Sequence, residues 1–383
     1  MSSLSTADLL GRLVSFDSVS RNSNLPIADF IADYLDRPGV RIDRVPSADG
    51  SKTNLVIITG PAGTEARRDG LVLSGHMDVV PAGEAEWESD PFQLVRRGDR
   101  LHGRGTADMK GFLALAMNRL AAVDPARLRH PLAIIFTYDE EVGTMGARRF
   151  AESWPHPEAL PRRTVIGEPT SLKVARMHKG HIKLRFSFHG RPAHSGYPHL
   201  GHNAIEPAGR AIVALGELRA ELERERTELG RYFDPVPFVT LNVAQVSGGV
   251  AVNIIPDRCV LDVGLRLLPG MARDPMLQRI RERVVAALGA EPFDFEMVNE
   301  SPPMLVEGSA EVFQACCTLV SQSGEHSIAY TTDGGWFQQA GLECVVFGPG
   351  SIELAHRPNE SIGVEELEQG GALLERLVNR FCH

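Results

Sequence analysis

Long apolar runs, paired cysteines and surplus positive charge are all missing from this sequence, and each absence removes a class of protein. No apolar stretch approaches the roughly 20 residues needed to cross a bilayer, so a membrane-spanning chain is not expected. The opening segment MSSLSTADLLGRLVSF has no basic patch followed by a continuous apolar core. No export signal is read there, and the expected location is the cytoplasm. The five cysteines (Cys259, Cys316, Cys317, Cys344 and Cys382) are odd in number and form no CxxC pair, which argues against a disulfide framework and against a thiolate zinc site. They read as reduced, structural residues. With 40 basic against 49 acidic side chains, a net charge of −9, the chain lacks the basic surplus that neutralises phosphates, and no nucleic-acid partner is expected. GxSxG, GxxxxGK[ST] and HExxH are absent too, which sets aside serine, P-loop and HExxH chemistry.

What is present is an ordinary globular composition, 43% hydrophobic and 23% charged, in a chain of 383 residues. That length exceeds what one hydrophobic core usually supports, so two domains are expected. Leu55–Thr59, Leu71–Ser74, Leu132–Thr137 and Thr164–Ile166 are apolar at nearly every position and read as strands buried on both faces, with a helix over Met109–Val123. This is the rhythm of an α/β domain. Pro155, Pro157 and Pro161 mark a loop.

From about His178 the pattern changes. Ile182, Leu184, Phe186 and Phe188 alternate with Lys183, Arg185 and Ser187, as in a half-exposed strand. A helix near Gly201–Glu225, strands near Phe238–Val246 and Cys259–Leu267, a helix near Asp274–Leu288 and a strand at Phe293–Val298 follow. The order β-α-β-β-α-β matches the ferredoxin-like motif. An apolar strand at Cys344–Phe347 and a final helix near Val364–Phe381 return to the first rhythm, so the second domain reads as an insertion: 1–177 and 299–383 form one domain around 178–298.

Histidines and carboxylates fall just after the strands. His76 and Asp78 follow LVLSG; Asp139, Glu140 and Glu141 follow LAIIFTY; Glu168 follows TVIG; His356 follows VVFGPGSIELA. Asp108, in GRGTADMKG, stands at the start of a helix, where local backbone amides can hold a carboxylate. The carboxyl edge of an open α/β sheet is where ligands bind, so residues far apart in sequence can converge there. Taken singly, His76 reads as a structural histidine, Glu140 and Glu141 as solvated surface, and Asp108 as a helix cap. Taken together they form two histidines and several carboxylates with no thiolate, a donor set that suits zinc, cobalt or manganese. Without cations such crowded carboxylates would raise one another's pKa values.

At these same residues the chain resembles the zinc amidohydrolase and aminopeptidase-like family that includes aminoacylases, carboxypeptidase G-type enzymes, succinyl-diaminopimelate desuccinylases and acetylornithine deacetylases. SGHMDVVP, GRGTADMKG, DEEVGTMGA, GEPT, GRPAHSGYPHLGHNA, VNIIPD and AHRPNE occur in the family's order. GEPT, the HKG beginning at His178 and GPGSIELAHRPNE most resemble the acetylornithine deacetylase branch. The resemblance implies a zinc-aminopeptidase-like mixed sheet flanked by helices, with an inserted ferredoxin-like α+β domain for dimerisation. It implies two divalent ions per subunit, zinc first and cobalt the alternative, one held by His76, Asp108 and Glu168 and the other by Asp108, Glu141 and His356.

By the same resemblance, Asp78 accepts the second ring N–H of His76. Glu140 is the general base that takes a proton from the attacking water and returns it to the departing amine. His194 and Asn253 would serve the active site of the other subunit of a homodimer and stabilise the tetrahedral oxyanion, and Arg266 would grip a substrate carboxylate. The implied reaction is hydrolysis of N-acetyl-L-ornithine to L-ornithine and acetate in arginine biosynthesis. Where that branch commonly shows a Thr-Glu-Ala-like segment, this chain has Thr332-Asp333-Gly334-Gly335. Asp333 is the expected partner of the substrate's amino group, and the shorter acid keeps other small N-acyl amino acids open: acetylcitrulline, succinyl-diaminopimelate or a dipeptide. A silent binding protein on the same fold would have lost ligand residues, and every expected metal ligand and Glu140 is present.

Overall fold

The computed structural model describes residues 4–61, 69–156 and 159–383; Pro157 of the proline-rich loop lies outside them. The chain divides into two compact units. One comprises Met1–Met177, Met304–His326 and Thr332–His383, the other His178–Pro303 and Ser327–Thr331.

The first unit is built on a six-stranded mixed sheet. Its order runs Val40–Pro46, Thr53–Thr59, Leu132–Thr137, Leu71–His76, Arg163–Ile166, Glu343–Val346. The first two strands are antiparallel to their neighbours and the last four are parallel to one another. Every residue of Leu71–His76 and Leu132–Thr137 is buried, which is why these segments carry no polar alternation. Helices supply the cover. Thr6–Val14 starts on Ser5, whose hydroxyl accepts the Asp8 N–H, and buries Leu9, Leu10, Leu13 and Val14 at helical spacing. Gly111–Ala122 packs on the sheet and on Val364–Cys382, whose Leu367, Leu374, Leu377, Val378 and Phe381 enter the same core.

The helix expected over Met109–Val123 begins two residues later, at Gly111. Asp108 (φ −125°, ψ 92°) and Met109 (φ −137°, ψ 34°) have non-helical backbone, so Thr106–Lys110 is a distorted turn entering the helix. This turn follows Gly105 at φ 84°, a left-handed position that favours glycine.

One close approach ties the sheet edge to the core. A Cβ on Gly167, between Ile166 and Glu168, would lie 1.9 Å from the ring of Phe112, which is itself fully buried. Gly167→Ala is therefore expected to destabilise by about 1–3 kcal/mol or more, since the ring has no free volume to enter. Chemical denaturation would read this as a lower midpoint at unchanged slope; an unshifted midpoint would contradict the packing described.

The second unit is a four-stranded antiparallel sheet in the order Thr240–Gly248, Arg258–Arg266, His181–His189, Phe293–Ser301. Helices Ile205–Leu222 and Arg273–Leu288 pack together, and the former lies against the sheet. With connectivity β-α-β-β-α-β, this is the ferredoxin-like arrangement. Ile182, Leu184, Phe186, Phe188, Leu261, Val263 and Leu265 form its buried face. The last strand runs to Ser301 rather than Val298, because its pairing with His181–His189 continues past a register shift between Met297 and Asn299. The unit accordingly ends at Pro303 rather than 298, and Ser327–Thr331 also belongs to it.

Candidate metal centre and active site

The parallel strands deliver their carboxyl ends to one place. His76 is the last residue of Leu71–His76, Glu140 and Glu141 lie just past Leu132–Thr137, and Glu168 follows Arg163–Ile166. Asp108 arrives on the distorted turn and His356 on a turn where its own φ is 59°. Together they make two groups of three, His76–Asp108–Glu168 and Asp108–Glu141–His356, with the candidate ligand atoms of each group within 4.8 Å of one another.

Asp108 belongs to both groups, and its two oxygens are divided between them. Oδ1 lies 3.0 Å from Nε2 of His76, while Oδ2 lies 3.3 Å from Nε2 of His356. Glu141 Oε2 is 2.9 Å from the same His356 nitrogen. The other nitrogen of His76, Nδ1, donates to the backbone carbonyl of Asp78 at 2.9 Å. With Nδ1 engaged there, Nε2 is the nitrogen turned to Asp108: protonated it donates to Oδ1, and deprotonated it is the one available to a cation.

The acceptor is the backbone oxygen of Asp78 and not its carboxylate, which is 3.7 Å away at Oδ1. The carboxylate is engaged elsewhere: Ser20 Oγ donates to it at 2.7 Å, the Glu140 N–H at 3.1 Å and the Glu141 N–H at 3.3 Å. Asp78 thereby pins the backbone of both acidic residues.

Electrostatics in this cluster are those of crowded, buried carboxylates. Burial, then the Asp108 charge, pushes Glu141 up to about 7 and Glu168 well above the ordinary carboxylate range. Burial, then Glu168, does the same to Glu140, which is also within reach of His76, Asp333 and Glu141. Burial opposes ionisation of Asp108 as well, but its bonds to His356 and His76 outweigh that and lower it. Burial would depress His76, yet the bond to Asp108 and the charges of Glu168, Asp108 and Asp78 raise it. Hydrogen bonds to Asp108 and Glu141 lift His356 to about 10. Divalent cations between these groups would remove the repulsion that raises the carboxyls, so the residues present fit them.

Asp333 lies deep in the first unit. Its side chain is 2% exposed, Oδ2 accepts from Thr137 Oγ1 at 2.6 Å, and Oδ1 is buried without a partner. Burial raises it to about 7. It lies beside the strand end that precedes Glu140, buried as His76, Asp108 and Glu168 are.

The other expected residues belong to the second unit. His194 and Asn253 are both exposed and are brought together by backbone pairing, the Ser195 N–H donating to the Asn253 carbonyl at 2.9 Å. Arg266 points away from the buried Leu261, Val263 and Leu265, and its Nη1 donates to Thr331 Oγ1 at 2.8 Å.

Several residues with structural weight in the first unit were given no role from the sequence, although Lys110 and Glu360 lie within GRGTADMKG and AHRPNE. Lys52, from the turn before Thr53–Thr59, bonds both the Ser20 carbonyl and the Asp139 carboxylate. Lys110 is fully buried, donates to the Phe16 carbonyl at 2.9 Å, and is pushed down to about 7 by burial. Glu360 accepts the backbone N–H groups that Asp108's own carboxylate was expected to use. Most of their partners are backbone groups, brought close only by folding, which sequence spacing does not reveal.

Residues 72–380 match the profile of peptidase family M20/M25/M40. The chain belongs to this family. Among relatives, this M20/M25/M40 chain is 34% identical over 379 residues to the acetylornithine deacetylase of Myxococcus xanthus, covering 97% of this chain and 96% of the relative. The M20 family metallo-carboxypeptidase Sso-CP2 from Sulfolobus solfataricus superposes with a TM-score of 0.77 at 17% identity, covering 98% of each chain. The Bacillus subtilis YXEP protein, a dinuclear metal binding peptidase from the M20 family, gives 0.68 at 14%, over 97% of this chain and 96% of that one. These two likenesses speak to the fold. Among the described residues, no helix is long and apolar enough to cross a membrane.

Proposed function

We propose that this chain is a cytoplasmic amidohydrolase that cleaves N-acetyl-L-ornithine to L-ornithine and acetate, using two divalent ions, zinc first and cobalt the alternative. The observation that carries the metal reading is the division of Asp108's oxygens between His76 and His356, which makes two three-residue groups share one carboxylate. The substrate reading rests on whole-chain relatives that bear the name acetylornithine deacetylase.

His76, Asp108 and Glu168 would hold one ion and Asp108, Glu141 and His356 the other. Bound there, the ions supply Lewis acidity for the amide carbonyl and the attacking water. Glu140 is outside both groups, its backbone fixed by Asp78, so its carboxylate is free to take a proton from the water and return it to the leaving nitrogen. Arg266 is the group offered to the substrate's carboxylate, since a guanidinium binds a carboxylate with two parallel bonds. A panel of N-acyl amino acids assayed at defined zinc loading tests this reading. Acetylornithine should give the highest kcat/KM; a large preference for acetylcitrulline, succinyl-diaminopimelate or a dipeptide would replace it.

The active form is proposed to be a homodimer through the inserted domain, with His194 and Asn253 serving the partner's active site. Thr240–Gly248 is an edge strand carrying the exposed Val246, followed by the exposed Val250 and Val252, the kind of unpaired apolar edge a second copy would cover. Two inactive variants, His194→Ala and Asp108→Ala, should then complement one another. Random exchange gives half heterodimers with one intact site each, so about a quarter of wild-type activity should return on mixing. No recovery after verified subunit exchange would place the whole site within one subunit.

A further inference from the structure

Two chain segments far apart in sequence carry the ligands Asp108 and His356, and a single buried carboxylate joins them. Glu360, 1% exposed, lies four residues after His356. Its Oε1 accepts the backbone N–H of Ala107 at 2.9 Å and of Asp108 at 3.0 Å; its Oε2 accepts the N–H of Gly105 at 3.1 Å and Nη1 of Arg104 at 2.9 Å. Its own carbonyl accepts the Gly103 N–H at 3.0 Å. Arg104 is equally buried and closes the ring by donating to the carbonyls of Arg357 at 3.3 Å and Pro81 at 3.0 Å.

The reason these bonds matter is the backbone of the turn. Opening the turn, the N–H groups of Gly105, Ala107 and Asp108 have no preceding helical carbonyl to join, while that of Thr106 donates to the Gly103 carbonyl at 3.2 Å. Buried amides must find acceptors, and Glu360 supplies them to three of the residues leading up to and including Asp108. The acceptor comes from the segment that positions His356. Any displacement of one ligand's backbone is therefore transmitted to the other's.

We propose that Glu360 is a positioning residue for the metal centre, locking the backbone of the shared ligand Asp108 to the segment that presents His356. This inference rests on the two-ion reading given above. A glutamine at 360 has the same shape but the wrong chemistry. Each carboxylate oxygen accepts two N–H donors, so whichever way the amide turns, its NH2 group faces two donors and repels them.

The test is titration of metal-free full-length protein with Zn2+ alone, followed by equilibrium dialysis, alongside kinetics with N-acetyl-L-ornithine and thermal melting. Wild type should take up two ions per chain. E360Q should bind the second ion about 10- to 100-fold more weakly, with kcat lowered over a similar range and KM within about threefold, because no group facing the substrate has changed. Should E360Q fail to fold, E360D carries the same comparison: it keeps both acceptors but is one methylene too short to reach all its donors. A folded variant that binds both ions within threefold of wild type overturns the role of Glu360, whether or not its kcat falls. Wild-type protein that takes up no second ion overturns the two-ion reading itself, and Glu360's role with it.

Discussion

Glu140→Gln is expected to lower kcat by about 100- to 10,000-fold, the usual worth of a positioned general base, while metal content and melting temperature stay near those of the wild type. The side chain belongs to neither three-residue group, so no ligand is lost. Its backbone N–H, held by Asp78 Oδ1 at 3.1 Å, is unaffected by the substitution. The amide is the same size as the carboxylate and is not repelled by Glu168, whose charge is among the causes raising Glu140. Folding should therefore be undisturbed, and what disappears is the ability to accept a proton from water and pass it on. Steady-state kinetics with metal analysis on the same preparation measures both halves. Activity within tenfold of wild type would remove Glu140 from the mechanism.

Asp108→Ala is expected to abolish activity at least as completely, but with the opposite signature in metal content. One substitution removes a candidate ligand from both groups, and it also removes the hydrogen-bonding partner of His76 and His356. Loss of an outer partner of a metal ligand costs about 10- to 100-fold in affinity, and loss of a shared ligand should exceed that for both ions. Fewer than one ion per chain should remain after dialysis. A variant that keeps two ions would show that Asp108 does not join the two groups. Compared side by side, the two substitutions separate a base from a ligand: both lose turnover, and only one loses metal.

The inserted unit was legible because its period-2 strands are exposed on one face. Ile182, Leu184, Phe186 and Phe188 alternate in sequence as they do in burial, and the sheet order follows from the connectivity. The boundary near 298 was less legible than the one near 178, since a register shift inside the last strand breaks the alternation that would have marked its continuation to Ser301. The strands of the first unit were found as apolar runs, but the edge strand Val40–Pro46, only partly buried and carrying Arg41, Asp43 and Arg44, shows no such run.

For the site the division is similar. Residue types and their joint placement after apolar strands marked His76, Glu140, Glu141, Glu168 and His356: each alone reads as an ordinary structural or surface residue, and only the set points to one pocket. Asp108 was marked by its motif, but its helical surroundings were misjudged: the backbone there is irregular, and its amides are satisfied from residue 360. Asp78 was read as the acceptor of the His76 N–H, and only the structure shows that its backbone oxygen receives it.

The sequence alone determined the layered α/β and ferredoxin-like architecture and the set of side chains able to bind cations, since both depend on local periodicity and residue chemistry. Only the tertiary structure decided how Asp108 divides its oxygens, that Asp333 is shut away from solvent, and that Glu360 braces the turn. Each of those depends on which backbone N–H groups and side-chain atoms meet across gaps of tens to hundreds of residues, and that is fixed by packing and not by spacing along the chain.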